Sequence, residues 1–155
     1  MSGIIGISPD MKSGVVGKYP IGHIVQIKYN SHSTATTQVS GTSCTQWGGS
    51  VTITTTGTND VLLVGSFSVN LSANGAKAAD MVINRNGTGV FTNAKCVRGP
   101  DTNSSLSYSV AVNFLDTGAT GTNIYTVHLC GINEGSIRFN HSLQTSSLTA
   151  YEIVA

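Results

Sequence analysis

The chain has 155 residues, a hydrophobic fraction of 39% and a net charge of +1. The hydrophobic content excludes general disorder, and the length suits one domain. The near-neutral charge excludes the basic surface of a nucleic-acid-binding protein and gives no cationic patch for a membrane surface. Charged residues make up only 10% and are replaced by Ser, Thr, Asn and Gly, a pattern typical of an all-β domain with many turns.

The first predicted element is an N-terminal arm, residues 1–21, built on a short repeat. The frame Ser-Gly-aliphatic-aliphatic-Gly-x-x-Pro begins at Ser2 and again at Ser13, 11 residues later. Glycine permits unusual backbone conformations and proline blocks a helix, so we predict an extended arm. Its candidate assembly residues are Ile4, Ile5, Pro9, Val15, Val16 and Pro20. The two aliphatic pairs either dock into equivalent grooves of neighbouring subunits or a supporting protein, or fold against the arm's own domain.

Residues 22–155 are predicted to form one antiparallel β-sandwich, most simply a jelly roll, because apolar runs alternate with turn signals. The polar stretch 30–50 is interpreted as a loop. Gly65, inside an alternating run, predicts a bulge or a close backbone contact, and Asn86-Gly87 predicts a type I′ hairpin turn. The predicted strands are His23–Tyr29, Val51–Thr56, Val61–Leu71, Asp80–Arg85, Gly89–Val97, Leu106–Phe114, Ile124–Cys130, Ser136–His141 and Leu148–Val154.

The three cysteines Cys44, Cys96 and Cys130 are far apart in the sequence. An odd number without CxxC spacing argues against a disulfide framework and against a zinc site. Cys130 lies in an apolar run, so we interpret it as a small buried hydrophobic residue. Together with the lack of a signal-peptide pattern, the cysteines predict a protein made in a reducing compartment.

Catalytic motifs are absent from the sequence. It contains no GxSxG, GxGxxG, P-loop or HExxH motif, and its acidic residues are few and dispersed. The pair of facing carboxylates that a polysaccharide-degrading enzyme requires could arise only from tertiary contacts. The histidines are also dispersed, although one histidine could meet its two copies on a three-fold axis and hold an ion. We therefore predict no catalytic residue, no cofactor and no metal site, and expect a non-enzymatic protein.

Trp47 is the candidate ligand residue. Its surroundings, Cys44 to Gly49, read as a loop, and an exposed aromatic ring there could stack on a sugar. The alternative is that Trp47 closes one end of the sandwich. Three predicted loops, 30–50, 98–105 and 116–122, would carry any receptor contact.

Four segments carry a resemblance to structural proteins of tailed marine bacteriophages, cyanophages among them. The leader SGIIGISPDMKSGVVGKYPIGHIVQI (2–27) resembles a leader that precedes a small β domain in that group. The segments DVLLVGSFSV (60–69), VNFLDTGATGTNIYTVHL (112–129) and SSLTAYEIVA (146–155) also resemble the group. The strand order is similar to the jelly rolls of complement globular heads and tumour necrosis factor, a likeness of fold only.

The resemblance implies a virion structural protein, made in the bacterial host cytoplasm, that forms a homotrimer and contacts other virion proteins. Candidate residues for the core or for subunit contact are Tyr125, Val127, Leu129, Tyr151 and Ile153. The leading interpretation is a trimeric fibre, spike or capsid decoration anchored by its arm. The alternatives are a distal tail-fibre tip that binds a host surface glycan or protein receptor, and a polysaccharide-degrading enzyme.

Overall fold

The computed structural model describes residues 21–72, 77–99, 105–132, 135–141 and 144–155. The six predicted arm residues between Ile4 and Pro20 lie outside this part of the chain. The strands are β1 Ile24–His32, β2 Val39–Ser40, β3 Cys44–Gln46, β4 Val51–Thr55, β5 Asp60–Ser72, β6 Lys77–Arg85, β7 Thr88–Gly99, β8 Leu106–Asp116, β9 Gly121–Gly131, β10 Ser136–Phe139 and β11 Ser146–Ile153.

The strands form two antiparallel sheets. In sheet A, β5 pairs with β8 on one side and with β11 and then β10 on the other, while β1 and β2 lie beyond β11 and β10. In sheet B, β9 pairs with β3 and β4 on one side and β6 on the other, and β7 lies beyond β6. In the pairs β1–β11, β4–β9, β5–β8 and β6–β7, each pair lies within the preceding one along the sequence. This is the arrangement of one long hairpin rolled into two sheets. This order is that of a jelly roll, as the sequence predicted.

Alternation along β5 builds the core between the sheets. Val61, Leu63, Phe67, Val69 and Leu71 point inward and are buried, which confirms the parity predicted for this strand. Trp47 and Phe139 complete the centre, since both rings pack edge-to-face against Phe67, with centroids 5.3 and 6.0 Å away.

Gly65 and the Asn86-Gly87 turn behave as their sequence context predicts. A Cβ on Gly65 would lie 2.8 Å from the Ser147 carbonyl oxygen, so the neighbouring strand approaches too closely for a side chain. The strand pairing stays in register there, so this glycine marks close contact and not a bulge. Asn86 and Gly87 have φ of 51° and 84°, as a type I′ turn between β6 and β7 requires.

The cysteine prediction is wrong. Cys44 and Cys130 form a disulfide, with an S–S distance of 2.08 Å, because β3 pairs with β9 in a register that places the two residues directly opposite each other. The short strands β2 and β3 lie within the polar stretch 30–50, which was predicted to be a loop, so their pairing was not predicted. Cys130 is half-buried and not a simple core residue. The cysteines therefore do not support the prediction that the protein is made in a reducing compartment.

Candidate functional site

The structure separates the five predicted contact residues into two groups. Tyr125, Val127 and Leu129 point inward from β9 and are fully buried in the core of this one chain. Tyr151 and Ile153 point the other way, because the inward positions on β11 are Leu148, Ala150 and Glu152. They are half-buried on the outer face of sheet A.

Trp47 lies in the connection between β3 and β4, but its side chain is not exposed there. Its side chain is fully buried beside Phe67, so its ring is not available to stack on a ligand from solvent. The alternative position, inside the end of the sandwich, agrees with this burial. Glycine follows Trp47 for a steric reason, since a Cβ on Gly49 would lie 2.8 Å from the indole ring.

Tyr151 and Ile153 belong to a larger apolar surface that register brings together. Across the outer face of sheet A, Ile27, Tyr151, Leu62 and Leu115 lie side by side on β1, β11, β5 and β8. A parallel row of residues lies on each side of this line. The row on one side contributes Ile24 and Ile153, and the row on the other side contributes Tyr29 and Val64. We call this surface the apolar patch: Ile24, Ile27, Tyr29, Leu62, Val64, Leu115, Tyr151 and Ile153.

The apolar patch is exposed and carries no charge. Tyr29 is 64% exposed, Ile27 55% and Leu115 46%. The register places only polar uncharged neighbours in the same rows, apart from Asp60 at one corner. The Asp60 carboxylate accepts a hydrogen bond from the Gly118 backbone N–H at 3.2 Å. The largest contiguous apolar surface of a protein is often an interaction site, which makes the apolar patch the candidate surface here.

Only the β11 residues of this patch, Tyr151 and Ile153, were predicted from the sequence. The missed signal is in β5, where Val61-Leu62-Leu63-Val64 is apolar at both parities. A strand with one face in a core and the other in solvent alternates with polar residues, whereas apolar residues on both faces indicate two buried faces. The second face of β5 has no covering element among the described residues.

Farther along the same face, the apolar patch gives way to hydroxyl groups. Ser31, Ser147 and Ser66 form the next row, and Ser66 Oγ lies 3.2 Å from Ser109 Oγ. Beyond this row is a groove of about 340 Å³, which we call the serine groove. Its lining residues are Ser68, Ser107, Tyr108, Ser109, Gln144 and Thr145.

Two carboxylates are buried at the same end of the sandwich as the apolar patch. Glu152 accepts hydrogen bonds at Oε1 from Thr56 N (2.6 Å) and Asn59 Nδ2 (2.8 Å), and at Oε2 from Gln26 Nε2 (2.6 Å). Burial raises the pKa of Glu152, but the hydrogen bonds from Thr56, Gln26 and Asn59 outweigh it, so the net pKa is lowered.

The second buried carboxylate, Asp116, joins the two sheets. It pairs with Arg85 Nη1 at 2.9 Å and accepts a hydrogen bond from the Tyr125 hydroxyl at 2.7 Å. Burial and the adjacent Asp116 raise the pKa of Tyr125 well above its ordinary value. Both carboxylates are thus occupied by internal donors, and their contacts are structural.

His128 lies on the outer face of sheet B, where its Nε2 is 3.1 Å from Thr126 Oγ1. Burial lowers its pKa. Among the residues that the structure describes, no three His, Cys, Asp or Glu side chains are grouped as metal ligands. Within the same ranges, no helix is long and apolar enough to cross a membrane.

Comparison with solved structures agrees with the sandwich topology. The chain superposes on part of dimeric latent PorU from Porphyromonas gingivalis with a TM-score of 0.50 and 11% identity, covering 91% of this chain and 14% of that one. That likeness shows the fold alone. No known protein family and no curated protein matches the sequence.

Two viral structures also match, at lower scores. The T13 particle of infectious bursal disease virus gives a TM-score of 0.41 and 19% identity, covering 99% of this chain and 40% of that one. The VP2 subviral particle of the same virus gives 0.39 and 20% identity, covering 85% and 39%. The chain spans well under half the length of each of these proteins.

Proposed function

We propose that this chain is a non-enzymatic virion structural protein that assembles as a homotrimer through the apolar patch. The patch carries the proposal, because it places eight apolar side chains on an outer sheet face with no covering element among the described residues. The virion setting rests on the sequence resemblance to phage structural proteins. A jelly-roll fold is compatible with that setting but does not by itself specify a function.

A second copy of the chain is the occupant that best fits the patch. The patch has no charged side chain in its central rows, so copies can meet there without like-charge repulsion. Burying apolar surface contributes about 25 cal/mol per Å² before the costs of association. The same surface offers no ionic group that would select a charged partner.

The size of the patch favours a cyclic homotrimer over a face-to-face dimer. Three rows across four strands cover roughly 400 Å² at the usual strand spacing and rise. Stable interfaces bury about 800 Å² on each partner, so a face-to-face dimer would be weak. In a three-fold ring each subunit contacts two neighbours and can also cover the free edge of β1, which pairs only with β11 among the described strands.

The arm, residues 1–21, is proposed to attach the trimer to other virion proteins. The described chain enters the sandwich beside the patch, where Gly22 N–H donates to the Val154 carbonyl at 2.8 Å. Deleting residues 1–20 should remove the protein from purified particles and leave the isolated trimer intact. A deletion variant that still binds particles would contradict the attachment role.

Sedimentation equilibrium tests the trimer. The wild-type protein should show three times the 16.0 kDa chain mass at micromolar concentration, and Ile27→Lys/Leu115→Lys should run as a monomer. Ile124→Lys is the matched control, because Ile124 is 44% exposed on the opposite sheet; it should remain trimeric. A wild-type monomer or dimer would contradict the trimer, and measurable depolymerisation of host capsular glycan would contradict the non-enzymatic function.

A further inference from the structure

Residues 37–46 form a strap that crosses from one sheet to the other. The strap contains β2, which pairs with β10 in sheet A, and β3, which pairs with β9 in sheet B. These two strands comprise two and three residues, respectively. Every strap residue except Thr45 is exposed or half-buried. Segments with few ladder hydrogen bonds and little buried surface open at a lower free energy than the rest of a fold.

Both ends of the strap are anchored to the sandwich. Before it, Thr36 N–H donates to the Phe139 carbonyl at 3.2 Å, and Thr36 Oγ1 accepts from Phe139 N–H at 2.9 Å. After it, Trp47 is fully buried, and its backbone N–H donates to the Val127 carbonyl at 2.8 Å. The strap therefore lies between two fixed points, and the buried indole ring lies outside it.

The disulfide joins the strap to sheet B. Cys44 and Cys130 lie directly opposite each other, with their Cα atoms 4.0 Å apart. Beside them, Gly131 N–H donates to the Ser43 carbonyl at 3.0 Å. A Cβ on Gly131 would overlap the Gly41 carbonyl oxygen, so the strap backbone rests directly on β9.

The disulfide is accessible from solvent on the strap side. Cys44 is exposed, whereas Cys130 is half-buried. Asp80 on β6 lies directly opposite Cys130 on its other side, and its negative charge disfavours the approach of a thiolate to Cys130. Exposed disulfides are more labile than buried structural ones and more often regulatory. We therefore expect a thiolate to attack the sulfur of Cys44.

The third cysteine does not compete for this bond. Cys96 lies on β7, and β6 separates it from Cys130 on β9. Its thiol donates to the Ala79 carbonyl at 3.2 Å, and burial raises its pKa to about 11. Cys96 is therefore protonated at neutral pH, whereas the thiolate is the form that attacks a disulfide. Opening the bond requires a thiol from outside the chain.

We propose that the Cys44–Cys130 disulfide is a reversible redox latch that closes the strap, and that a dithiol reductant opens it. One thiolate of the dithiol attacks Cys44 Sγ, the S–S bond breaks, and Cys130 leaves as a thiolate that takes up a proton. The second thiol of the reductant then displaces Cys44, so both cysteines are reduced and the dithiol is oxidised to a disulfide. A reducing cytosol would hold the strap open, and oxidising surroundings would close it.

Amide hydrogen exchange followed by mass spectrometry tests the latch, with and without dithiothreitol at neutral pH and without denaturant. A single disulfide contributes less than the whole stability of a typical domain, so reduction should open the strap without unfolding the sandwich. Exchange in residues 37–46 should become faster by about tenfold or more, and exchange in β5 should not change. Trp47 is the only tryptophan of the chain, so an unchanged emission maximum verifies that the core stays packed. Oxidised glutathione, added after removal of the reductant, should restore slow exchange.

Cys96→Ser is the matched control, because it removes a thiol and keeps the latch. It should respond to the reductant as the wild type does. Cys44→Ser/Cys130→Ser should show fast exchange in residues 37–46 with and without reductant. The wild-type comparison stands even if this double variant does not fold.

Three outcomes contradict the latch. The first is a disulfide that dithiothreitol cannot reduce in the folded protein, and the second is slow exchange in residues 37–46 after thiol counting shows reduction. The third is a shift of Trp47 emission together with faster exchange in β5, which means that reduction unfolds the whole sandwich. Sedimentation without reductant tests the proposed function separately, since a monomer with a working latch contradicts only the trimer.

Discussion

Glu152 is a carboxylate without solvent exposure, and the partners that stabilise its charge among the described residues are uncharged hydrogen-bond donors. Its donors are three residues from two places in the chain: Gln26 on β1, and Thr56 and Asn59 in the turn between β4 and β5. It therefore ties the last strand to the edge strand β1 and to the opposite sheet. The hydrogen bonds of Glu152 therefore stabilise the contact between these elements, and they do so most strongly when the carboxylate is ionised.

The first prediction concerns Glu152→Gln. The amide presents N–H groups where the carboxylate accepted from Gln26, so one donor loses its acceptor and the free energy of unfolding should fall by about 1–3 kcal/mol at pH 7. Because the folded pKa is lowered, the contribution of the wild-type carboxylate is fully present above its unfolded pKa. It is lost as pH falls through the folded value.

Urea denaturation at pH 7 and at pH 3 measures this effect. The difference between the wild type and Glu152→Gln should be larger at pH 7 and should shrink at pH 3. A difference that is the same at both pH values would show that ionisation of Glu152 does not contribute to stability.

At the scale of elements, the disulfide compensates for the short length of β3. This strand has three residues, Cys44–Gln46, and so few ladder hydrogen bonds hold it only weakly to β9. The disulfide to Cys130 closes a loop across a sequence separation of 86. Cross-links over long loops restrict the unfolded chain and typically stabilise by about 2–4 kcal/mol.

The second prediction is that Cys44→Ser/Cys130→Ser lowers the free energy of unfolding by that amount. Reductant should lower the stability of the wild type and leave the double variant unchanged. A thiol titration in denaturant without reductant gives an independent measurement. It should detect one thiol, Cys96, whose pKa burial raises to about 11 in the folded chain; three thiols would show that the disulfide does not form.

The elements show which parts of the fold sequence patterns specify. Long alternating strands such as β5 and β8, and the Asn86-Gly87 turn, were predicted because local residues determine face and turn type. The short strands β2 and β3 were not predicted, because they have no periodicity of their own and depend on partners distant in sequence. The disulfide was missed for the same reason, since the pairing of β3 and β9 alone brings the two cysteines together.

The candidate surfaces were less predictable than the fold. Tyr151 and Ile153 were named from one strand, whereas the apolar patch needs four strands in a fixed register. The serine groove was not predicted at all, because serine on an outer strand face is also what an ordinary solvated strand contains. Trp47 was correctly predicted to lie in a connection between strands, but its ring is buried and not exposed, and a Cβ on the nearby Gly49 would collide with that ring.

At the scale of the whole molecule, the apolar patch should couple folding to assembly. If three copies bury it, unfolding releases subunits, and the apparent Tm must rise with protein concentration by mass action. Sulfate should strengthen this association, because excluded salts favour burial of apolar surface. An interface based on surface ion pairs would instead weaken as salt rises.

The last prediction follows from this coupling. Over a hundredfold range of concentration, the wild-type Tm should increase, and that of Ile27→Lys/Leu115→Lys should stay constant, because the charged side chains prevent association without disturbing the core. Ile124→Lys should keep the wild-type dependence, since its side chain points to solvent from sheet B. Differential scanning calorimetry measures all three. A wild-type Tm that does not change with concentration would mean that the patch is not buried between copies of this chain.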